Sequence, residues 1–372
     1  MSISVRSANA APATSGYGEL AREIRRLGLQ QRRPGSYAVL LVANLIALAG
    51  VVTAMALLRD SWWLMLLAVA LAIMSAQIGF FGDDAGHHQI ARKRVPTMLL
   101  GLLNANLLNG LSYGWWIDKH IAHHANPNDL EADPDVLPGI LVFDAAQAAA
   151  RKGAAAWLLF PLLLLEALNL HVSSVRALLR PGIRARATEL ALLGVHFGGY
   201  AVLLVTTMTW LQASVFLVIH QGLLGVYLGC SFAPNHKGIP IGTAEQAADP
   251  LLRQVLTSRS IRGGPFVDFV LGGLNYQIEH HLFPSMPRPN LRVAQPVVRR
   301  FCAAHQVPPS VEASAFASYG VVIRHLRDVG PSCAERGRSP PDEGRPGSRR
   351  PVLGPPMWGS LSPTRAQVSS GI

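Results

Sequence analysis

The chain has 372 residues, of which 50% are apolar and only 15% are charged, and its mean hydropathy is +0.27. A positive mean hydropathy is unusual for a water-soluble chain of this length and indicates a membrane protein. The formal net charge is +11, but no ordered pattern of basic and aromatic residues accompanies it, so a nucleic-acid partner is not expected. Basic residues beside membrane spans and contact with anionic membrane lipid account for the charge.

Four apolar stretches are each about long enough to cross a ~30 Å hydrocarbon layer as a helix. They are Tyr37 to Leu58, Trp62 to Phe81, Leu190 to Met208 and Leu211 to Phe232. Three residues separate the first two stretches and two residues separate the last two. We therefore predict an all-α integral membrane protein whose four transmembrane helices form two hairpins.

Histidine clusters lie next to these stretches. The two complete clusters read His120-x-x-His123-His124 and Gln277-x-x-His280-His281, and a weaker one reads Asp83-x-x-x-His87-His88. Residues three and four apart share a helix face, so the imidazoles of one cluster can converge on one point. Each buried ring nitrogen needs a partner, so metal ligation is the favoured interpretation.

The irregular positions leave alternatives open. Gln277 stands where the second cluster has its first histidine, and it could ligate, hold a water or only pack. Asp83 and His87 share a helical face, and a carboxylate is a legitimate metal ligand. Alternatively His88 acts after a local shift, with Asp84 as its neighbour one turn earlier, or one metal and the activity are lost.

Two more apolar stretches, Met98 to Ile117 and Ala154 to Leu170, are expected not to cross the membrane. Both flanks of the first stretch must lie on one side if the clusters at 87 and 120 are to meet. The second stretch contains Pro161 and Glu166. We therefore predict four spans with two helices that lie in the interface or enter and return.

Basic residues near the span ends predict the orientation. They precede the first and third spans and follow the second, at Arg22, Arg25, Arg26, Arg32, Arg33, Arg92, Lys93, Arg94, Arg176, Arg180, Arg184 and Arg186. The positive-inside rule then places both termini and all histidine clusters in the cytoplasm, as a histidine-rich metal-binding cap on a multi-pass protein of the cytoplasmic membrane.

Three segments are expected along the chain. Residues 1–36 form a cytoplasmic N-terminal segment and residues 37–329 form the membrane domain. Residues 330–372 are rich in Pro, Gly, Ser and Arg, with too few large apolar side chains for a packed core, so they are predicted to be a disordered tail. His196 and His220 lie inside the third and fourth spans, where we expect a mutual or backbone hydrogen bond, and His171 stays ambiguous.

The chain resembles the membrane fatty acid desaturases, and more narrowly their bacterial acyl-CoA or acyl-lipid branch. The most specific parts of the resemblance are HIAHHANPNDLEADPDV from His120 and NYQIEHHLFPSMPRPNLR from Asn275, within a similar region from roughly Tyr17 to Gly330. Glutamine at position 277 is itself typical of the branch that includes front-end desaturases. Relatives there often carry a fused cytochrome b5 domain with a His-Pro-Gly-Gly haem site, and that tetrapeptide does not occur in this sequence.

The resemblance implies a di-iron centre that uses O2 to introduce a double bond into an acyl chain held as acyl-CoA or acyl-lipid. Electrons would come from an external donor, either a ferredoxin or a flavin and iron–sulfur reductase. The implied iron ligands are His87, His120, His123, His124, His236, His280 and His281, with Asp83 and Gln277 in the irregular positions. His236 is included because the Asn235-His236 pair matches the family position that supplies a ligand from the last membrane helix.

The first cluster departs from this family. Where the family pattern has its first histidine, the chain has Asp83. Two alternatives to desaturation follow. A related membrane hydroxylase would use the same clusters to insert oxygen, and a degenerate, non-catalytic desaturase would only bind lipid or a partner.

Overall fold

A computed structural model of the chain describes residues 14–136, 158–239, 248–312 and 314–329. The described part is mainly helical, with two three-residue strands. The α-helices are α1 (Thr14–Arg26), α2 (Pro34–Leu57), α3 (Leu64–Gly86), α4 (Arg94–Gly101), α5 (Tyr113–Ala125), α6 (Leu159–Leu163), α7 (Glu166–Leu178), α8 (Arg186–Thr207), α9 (Trp210–His236), α10 (Pro250–Leu256), α11 (Pro265–Val270), α12 (Gln277–Leu282), α13 (Arg288–Ala304) and α14 (Ala315–Val329). A π-helix (Leu102–Leu107) follows α4, and a 3-10 helix (Leu274–Tyr276) precedes α12.

The predicted spans are confirmed as four helices that are long and apolar enough to cross a membrane, namely α2, α3, α8 and α9. The central pair is α3 and α9, of whose apolar windows 56% and 39% are buried, against 11% for α2 and 17% for α8. Both central helices continue beyond the predicted spans, so that Asp83 lies in the last turns of α3 and His236 ends α9.

The helices α3 and α9 pack along each other. At the end far from the histidines, Met55, Leu64 and Phe216 form a fully buried cluster with neighbouring apolar side chains. The connections at that end are tied together, since the Asp60 N–H donates to Thr207 O and the Gln212 side chain donates to Asp60 O. Close van der Waals packing and such polar ties are what hold helices together in lipid, where hydrophobic burial between helices contributes little.

A second, globular core lies beyond the other ends of α3 and α9. It is built from α1, α10, α12 and α13, and its fully buried side chains include Leu20, Ile24, Ile278, Met286 and Val298. Burying such a side chain away from water contributes about 1.5–3 kcal/mol to stability. The helix α1, which belongs to the predicted N-terminal segment, therefore packs directly beneath the helix that carries His280 and His281.

The prediction of purely helical structure requires one correction. The strands β1 (Arg259–Ile261) and β2 (Ser310–Glu312) pair in parallel, with Ser260 opposite Val311. Ser260 is fully buried, accepts a hydrogen bond from the Ile278 N–H and donates one to Glu279. The short sheet thus fixes the start of α12, which is a tertiary role that three-residue segments do not reveal in a sequence.

The two stretches predicted not to cross are broken in the structure. The first consists of α4, the π-helix, a turn and the start of α5, and the described part of the second, from residue 158, consists of α6 and the start of α7. None of these pieces is long enough to span a bilayer. The predicted tail, residues 330–372, lies outside the described residues.

The intramembrane histidines are paired. His196 Nδ1 binds Leu107 O at 2.9 Å, which confirms the predicted backbone hydrogen bond. For His220 the prediction was wrong, because this ring binds Gln221 Nε2 of its own helix at 3.4 Å and, more closely, Ser75 Oγ at 3.3 Å and Tyr200 OH at 2.8 Å. Hydroxyl groups on the neighbouring helices α3 and α8 supply the two closer partners, and only the tertiary packing brings them there.

Candidate metal centre

Four separate elements bring the histidine clusters together at the cap end of α3 and α9. The helix α5 carries His120, His123 and His124, all buried, and begins at the Ser112 N-cap, whose side chain accepts a hydrogen bond from the Trp115 N–H. The short helix α12 carries His280 and His281, also buried. His87 directly follows α3 and His236 ends α9. Histidines 33 to 194 residues apart in the chain therefore meet at one site.

The first group of imidazoles comprises His87, His120, His124 and His280. Their ligand nitrogens all lie within 4.8 Å of one another, and the Nε2 atoms of His120 and His124 are 3.1 Å apart. Asp83 Oδ1 lies 3.0 Å from His120 Nε2 and 3.8 Å from His87 Nε2. A carboxylate oxygen and four imidazoles therefore surround one small volume.

The second group comprises His123, His236 and His281, whose ligand nitrogens also lie within 4.8 Å of one another. The Nε2 atoms of His123 and His236 are 3.4 Å apart. Gln277 Nε2 lies 2.9 Å from His236 Nε2, and its Oε1 accepts a hydrogen bond from the Asn235 side chain. The irregular glutamine is thus part of this group rather than of the first.

Each imidazole of the second group is oriented by an oxygen on its far side. His123 Nδ1 lies 3.0 Å from both carboxylate oxygens of Asp133, His236 Nδ1 lies 3.0 Å from Thr257 O, and His281 Nδ1 lies 2.9 Å from Gln254 Oε1. These oxygens are acceptors, so each Nδ1 carries the proton and each neutral ring keeps its lone pair on Nε2. The Gln277 NH2 group lies against the His236 lone pair, and the lone pairs of His123 and His281 point into the same volume, where a cation would relieve their repulsion.

Several inward-facing atoms have no protein partner. They include Nε2 of His87, His280 and His281, all buried. Asp83 Oδ1 also lacks a hydrogen bond, because its approach to His120 does not have hydrogen-bond alignment. Buried polar atoms without partners are rare in folded proteins, and a metal-binding site is one accepted reason for them.

Burial favours the neutral form of several of these rings. Loss of solvation lowers the pKa of His280 to about 4 and lowers the pKa of His124 and His281 well below the ordinary value of 6.5. A neutral imidazole is the form that binds a metal ion. The donor set, its protonation and its outer hydrogen bonds therefore fit a pair of transition-metal ions, one in each group.

Other residues of the first cluster have different roles. Asp84 forms a buried ion pair with Arg288, which joins the end of α3 to the start of α13. His88 is exposed, has a left-handed backbone (φ 56°) and bonds to Thr97 Oγ1. The alternative in which His88 joins the site with Asp84 as its neighbour therefore does not match the structure.

Sequence reasoning did not assign a role to Asp133, Gln254 or Thr257. Asp133 is fully buried and follows His123 by ten residues within the most specific stretch. The acidic residues after the second cluster could have indicated this role of Asp133, since metal-binding histidines commonly donate their other ring N–H to a carboxylate. Thr257 acts through its backbone carbonyl, and no side-chain pattern announces such a contact.

A narrow pocket adjoins the first group. It is too narrow to hold a water molecule and is lined by Phe80, Asp83, Gly272, Leu274 and His280, among others. Apolar side chains thus meet the carboxylate and an imidazole of the candidate site.

The fold and the site together combine four membrane-type helices with two histidine groups that could each hold a metal ion. The profile of the family described as "Fatty acid desaturase" matches residues 60–312, which is more than half of the chain. The chain therefore belongs to the fatty acid desaturase family.

Several relatives of the chain are named as desaturases of fatty acids or acyl lipids. The chain is 30% identical over 275 residues to the acyl-lipid (9-3)-desaturase of Borago officinalis, covering 68% of this chain and 61% of the relative. It is 26% identical over 326 residues to Delta(8)-fatty-acid desaturase 2 of Arabidopsis thaliana, covering 82% and 72%. It is also 26% identical over 290 residues to a Delta(6)-fatty-acid desaturase of Caenorhabditis elegans, covering 72% and 65%.

The chain thus spans between about three fifths and three quarters of the length of these relatives. All three are named as desaturases, which are oxidoreductases. The prediction of a fatty acid desaturase is confirmed by the family and by histidine groups able to hold a metal, and neither alternative activity is favoured.

Proposed function

We propose that the chain is an O2-dependent desaturase that introduces a double bond into a fatty acyl chain at a di-iron centre. One observation carries the proposal. Three buried imidazoles donate Nδ1 to fixed oxygens and present Nε2 to one volume, beside a second volume surrounded by four imidazoles and a carboxylate. This is the donor arrangement of a two-metal site.

The nine predicted ligands divide between the two positions. One ion would be held by Asp83, His87, His120, His124 and His280, and the other by His123, His236, His281 and Gln277. Iron is proposed from the family, because imidazole donors alone also suit zinc and copper. Bound iron would supply the O2 activation needed to remove hydrogen from an unactivated methylene, which side chains alone cannot do.

The protein's own contribution is orientation and exclusion of water. Asp133, Gln254 and Thr257 hold three rings in one tautomer. The buried cap prevents hydration of the lone pairs, and the apolar side chains of Phe80 and Leu274 lie beside Asp83 and His280 of the first group. Holding a substrate carbon at a fixed distance from the reacting centre is the usual source of positional selectivity.

The same contacts support a proposal for the membrane topology. If α3 and α9 cross the bilayer, their histidine-bearing ends lie on one side and the tied connections after α2 and α8 lie on the other. Trp62, Trp63 and Trp210, which are 56%, 68% and 82% exposed, stand at those connections, as expected of an aromatic belt. We propose two hairpins with a cytoplasmic histidine-rich cap and cytoplasmic termini in the cytoplasmic membrane, with α4 to α5 and α6 to α7 at its interface.

Substrate and electron donor complete the proposal. The acyl group would be carried by coenzyme A or a membrane lipid, and electrons would come from a separate ferredoxin or a flavin and iron–sulfur reductase, as in the bacterial branch. Arg92, Lys93 and Arg94 are exposed near the end of α3 and suit an acidic donor or lipid phosphate. Lys119 is less available, since its Nζ lies 2.5 Å from Asp135 Oδ1.

Gas chromatography with mass detection of fatty acids from an expressing host tests the activity. We expect a new fatty acid that is two hydrogens lighter than its precursor, and its appearance should depend on a co-expressed donor. A product that is one oxygen heavier would indicate the hydroxylase. Purified protein without iron, from a host without new product, would indicate the degenerate form and overturn the proposal.

A further inference from the structure

A segment of irregular backbone precedes the helix that carries His120, His123 and His124. It comprises the π-helix (Leu102–Leu107), a turn at Gly110 with φ of +67°, and the Ser112 cap of α5. Irregular backbone near hydrocarbon persists only where protein groups satisfy its polar atoms. The groups that do so here come from α7 and α8, which contribute nothing to the two imidazole groups.

Three ionisable side chains bind this segment. His196 Nδ1 donates to Leu107 O at 2.9 Å, and His171 Nδ1 donates to Gly110 O at 3.0 Å. Glu189 Oε2 accepts from Ser112 Oγ at 2.7 Å and from the Asn106 side chain at 3.0 Å. Glu189 Oε1 accepts from the Gly114 N–H at 3.1 Å.

Glu189 is 1% exposed and all of these donors are neutral. Its carboxylate lies at the N-terminus of α5, where the unpaired N–H groups and the helix dipole stabilise negative charge. The same carboxylate therefore fixes the Ser112 cap, the first turn of α5 and the π-helix at once. A buried ionisable residue within a membrane helix is costly unless it has a function.

The contacts leave little room for adjustment. A Cβ at position 114 would lie 2.7 Å from Glu189 Oε1, and one at position 110 would lie 2.5 Å from the His196 ring. Both positions are glycine, so α8 approaches the segment as closely as its backbone allows. The start of α5 is thus held against α8 six residues before His120.

We infer that Glu189 and His196 are positioning residues for the metal centre. They act through the 102–114 segment and fix the position of α5 along its axis and its rotation about that axis. The three histidines of α5 are divided between the two imidazole groups. This inference rests on the proposed function, because it assigns a role toward the same metal ions. It also accounts for intramembrane groups that the chemistry itself does not use.

The test compares Glu189→Gln with Glu166→Gln in the full-length detergent-purified protein. In either amide orientation, Gln places an NH2 group against a donor of the segment, whereas Glu166 accepts a hydrogen bond from Asn169 of its own helix. We expect Glu189→Gln to bind iron about tenfold more weakly than wild type, as for loss of a group that orients ligands. The visible absorption spectrum of the Co²⁺-loaded protein should change as well, while Glu166→Gln should match wild type in both measurements.

A second pair of variants keeps the test decisive if Glu189→Gln does not fold. The amide of His196→Asn can place a donor where Nδ1 stands, whereas His196→Leu cannot. We expect His196→Asn to retain iron affinity and the Co²⁺ spectrum, and His196→Leu to lose affinity by about tenfold.

The outcomes separate the two proposals. If the wild type binds iron and both His196 variants and Glu189→Gln bind it equally well with an unchanged Co²⁺ spectrum, the positioning role is wrong and the metal centre stands. If the wild type binds neither iron nor Co²⁺, the proposed function fails and the positioning role fails with it. A lower unfolding temperature with an unchanged spectrum would mean that Glu189 is only structural, and would also overturn the inference.

Discussion

Replacing Asp133 with asparagine tests the orientation of the second imidazole group. Both carboxylate oxygens lie 3.0 Å from His123 Nδ1. Each oxygen also accepts one backbone N–H at 2.8 Å, from Asn128 for Oδ2 and from Asp135 for Oδ1. An asparagine therefore places its NH2 group against a backbone donor in either orientation. One buried donor loses its acceptor, at a cost of about 1–3 kcal/mol.

Asp133→Asn should also weaken metal binding, by more than most surface substitutions do. Loss of a carboxylate that orients a ligating histidine weakens metal affinity about 10–100-fold, and each tenfold step corresponds to about 1.4 kcal/mol. We expect Asp133→Asn to bind iron at least about tenfold more weakly and to unfold at a lower denaturant concentration. Competition with a chelator of known affinity measures the first quantity, and chemical denaturation of the metal-free protein measures the second.

Asp129→Asn is the matched control. Asp129 is an exposed carboxylate of the same loop, and its Oδ1 accepts the N–H groups of Glu131 and Ala132. Asparagine keeps an equivalent oxygen there, so iron affinity should not change. Equal iron affinity in Asp133→Asn, Asp129→Asn and wild type would show that the Asp133 contact does not orient a ligand, and the reasoning about Nε2 lone pairs would be refuted.

Three further predictions concern the metal centre. Asp83→Ala should lower the iron content from about two to about one per chain, because the first group loses its only anionic donor, whereas Asp83→His should keep about two; metal analysis that finds equal content in Asp83→Ala and wild type would show that the carboxylate is not a ligand. Gln277→Ala should weaken iron binding less than His236→Ala does, since a neutral amide is the weaker donor, and a chelator titration that ranks them the other way would contradict the assignment. In metal-free protein, burial lowers the pKa of His280 to about 4, so the unfolded chain binds more protons between about pH 6.5 and 4 and the free energy of unfolding falls as pH falls through this window. Burial raises the pKa of Glu279 to about 7, which opposes this trend, but more buried imidazoles than carboxylates titrate there; denaturation curves at pH 7 and 5 that show no loss of stability would be contrary to the prediction.

The sequence was sufficient to predict the long apolar helices and the shared helix face of the second histidine cluster. Hydropathy located four helices, because a bilayer imposes a minimum apolar length. Most of the predicted helix ends lie within a few residues of the observed ends. The spacing of His120, His123 and His124 predicted a shared helix face, and α5 has it. The ends of α3 and α9 were the exception. Asp83 and His236 continue these helices past the apolar run, since the cap supplies polar partners that hydropathy does not register.

The division of the site into two groups could not be read from the sequence. Adjacent residues of one cluster, such as His123 and His124, belong to different groups because they project from α5 at angles about 100° apart, and only the packing of α9 and α12 decides which volume each ring faces. The same applies to Glu189 and His196. Their partners are backbone atoms of a broken helix, and such contacts depend on tertiary geometry rather than on residue pattern.

X-ray diffraction at the iron absorption edge, from crystals of protein expressed with ample iron, tests the central claim most directly. The account predicts two anomalous peaks, one within bonding distance of His124 and His280 and the other within bonding distance of His123 and His281. A single peak, or two peaks outside these imidazole groups, would contradict it.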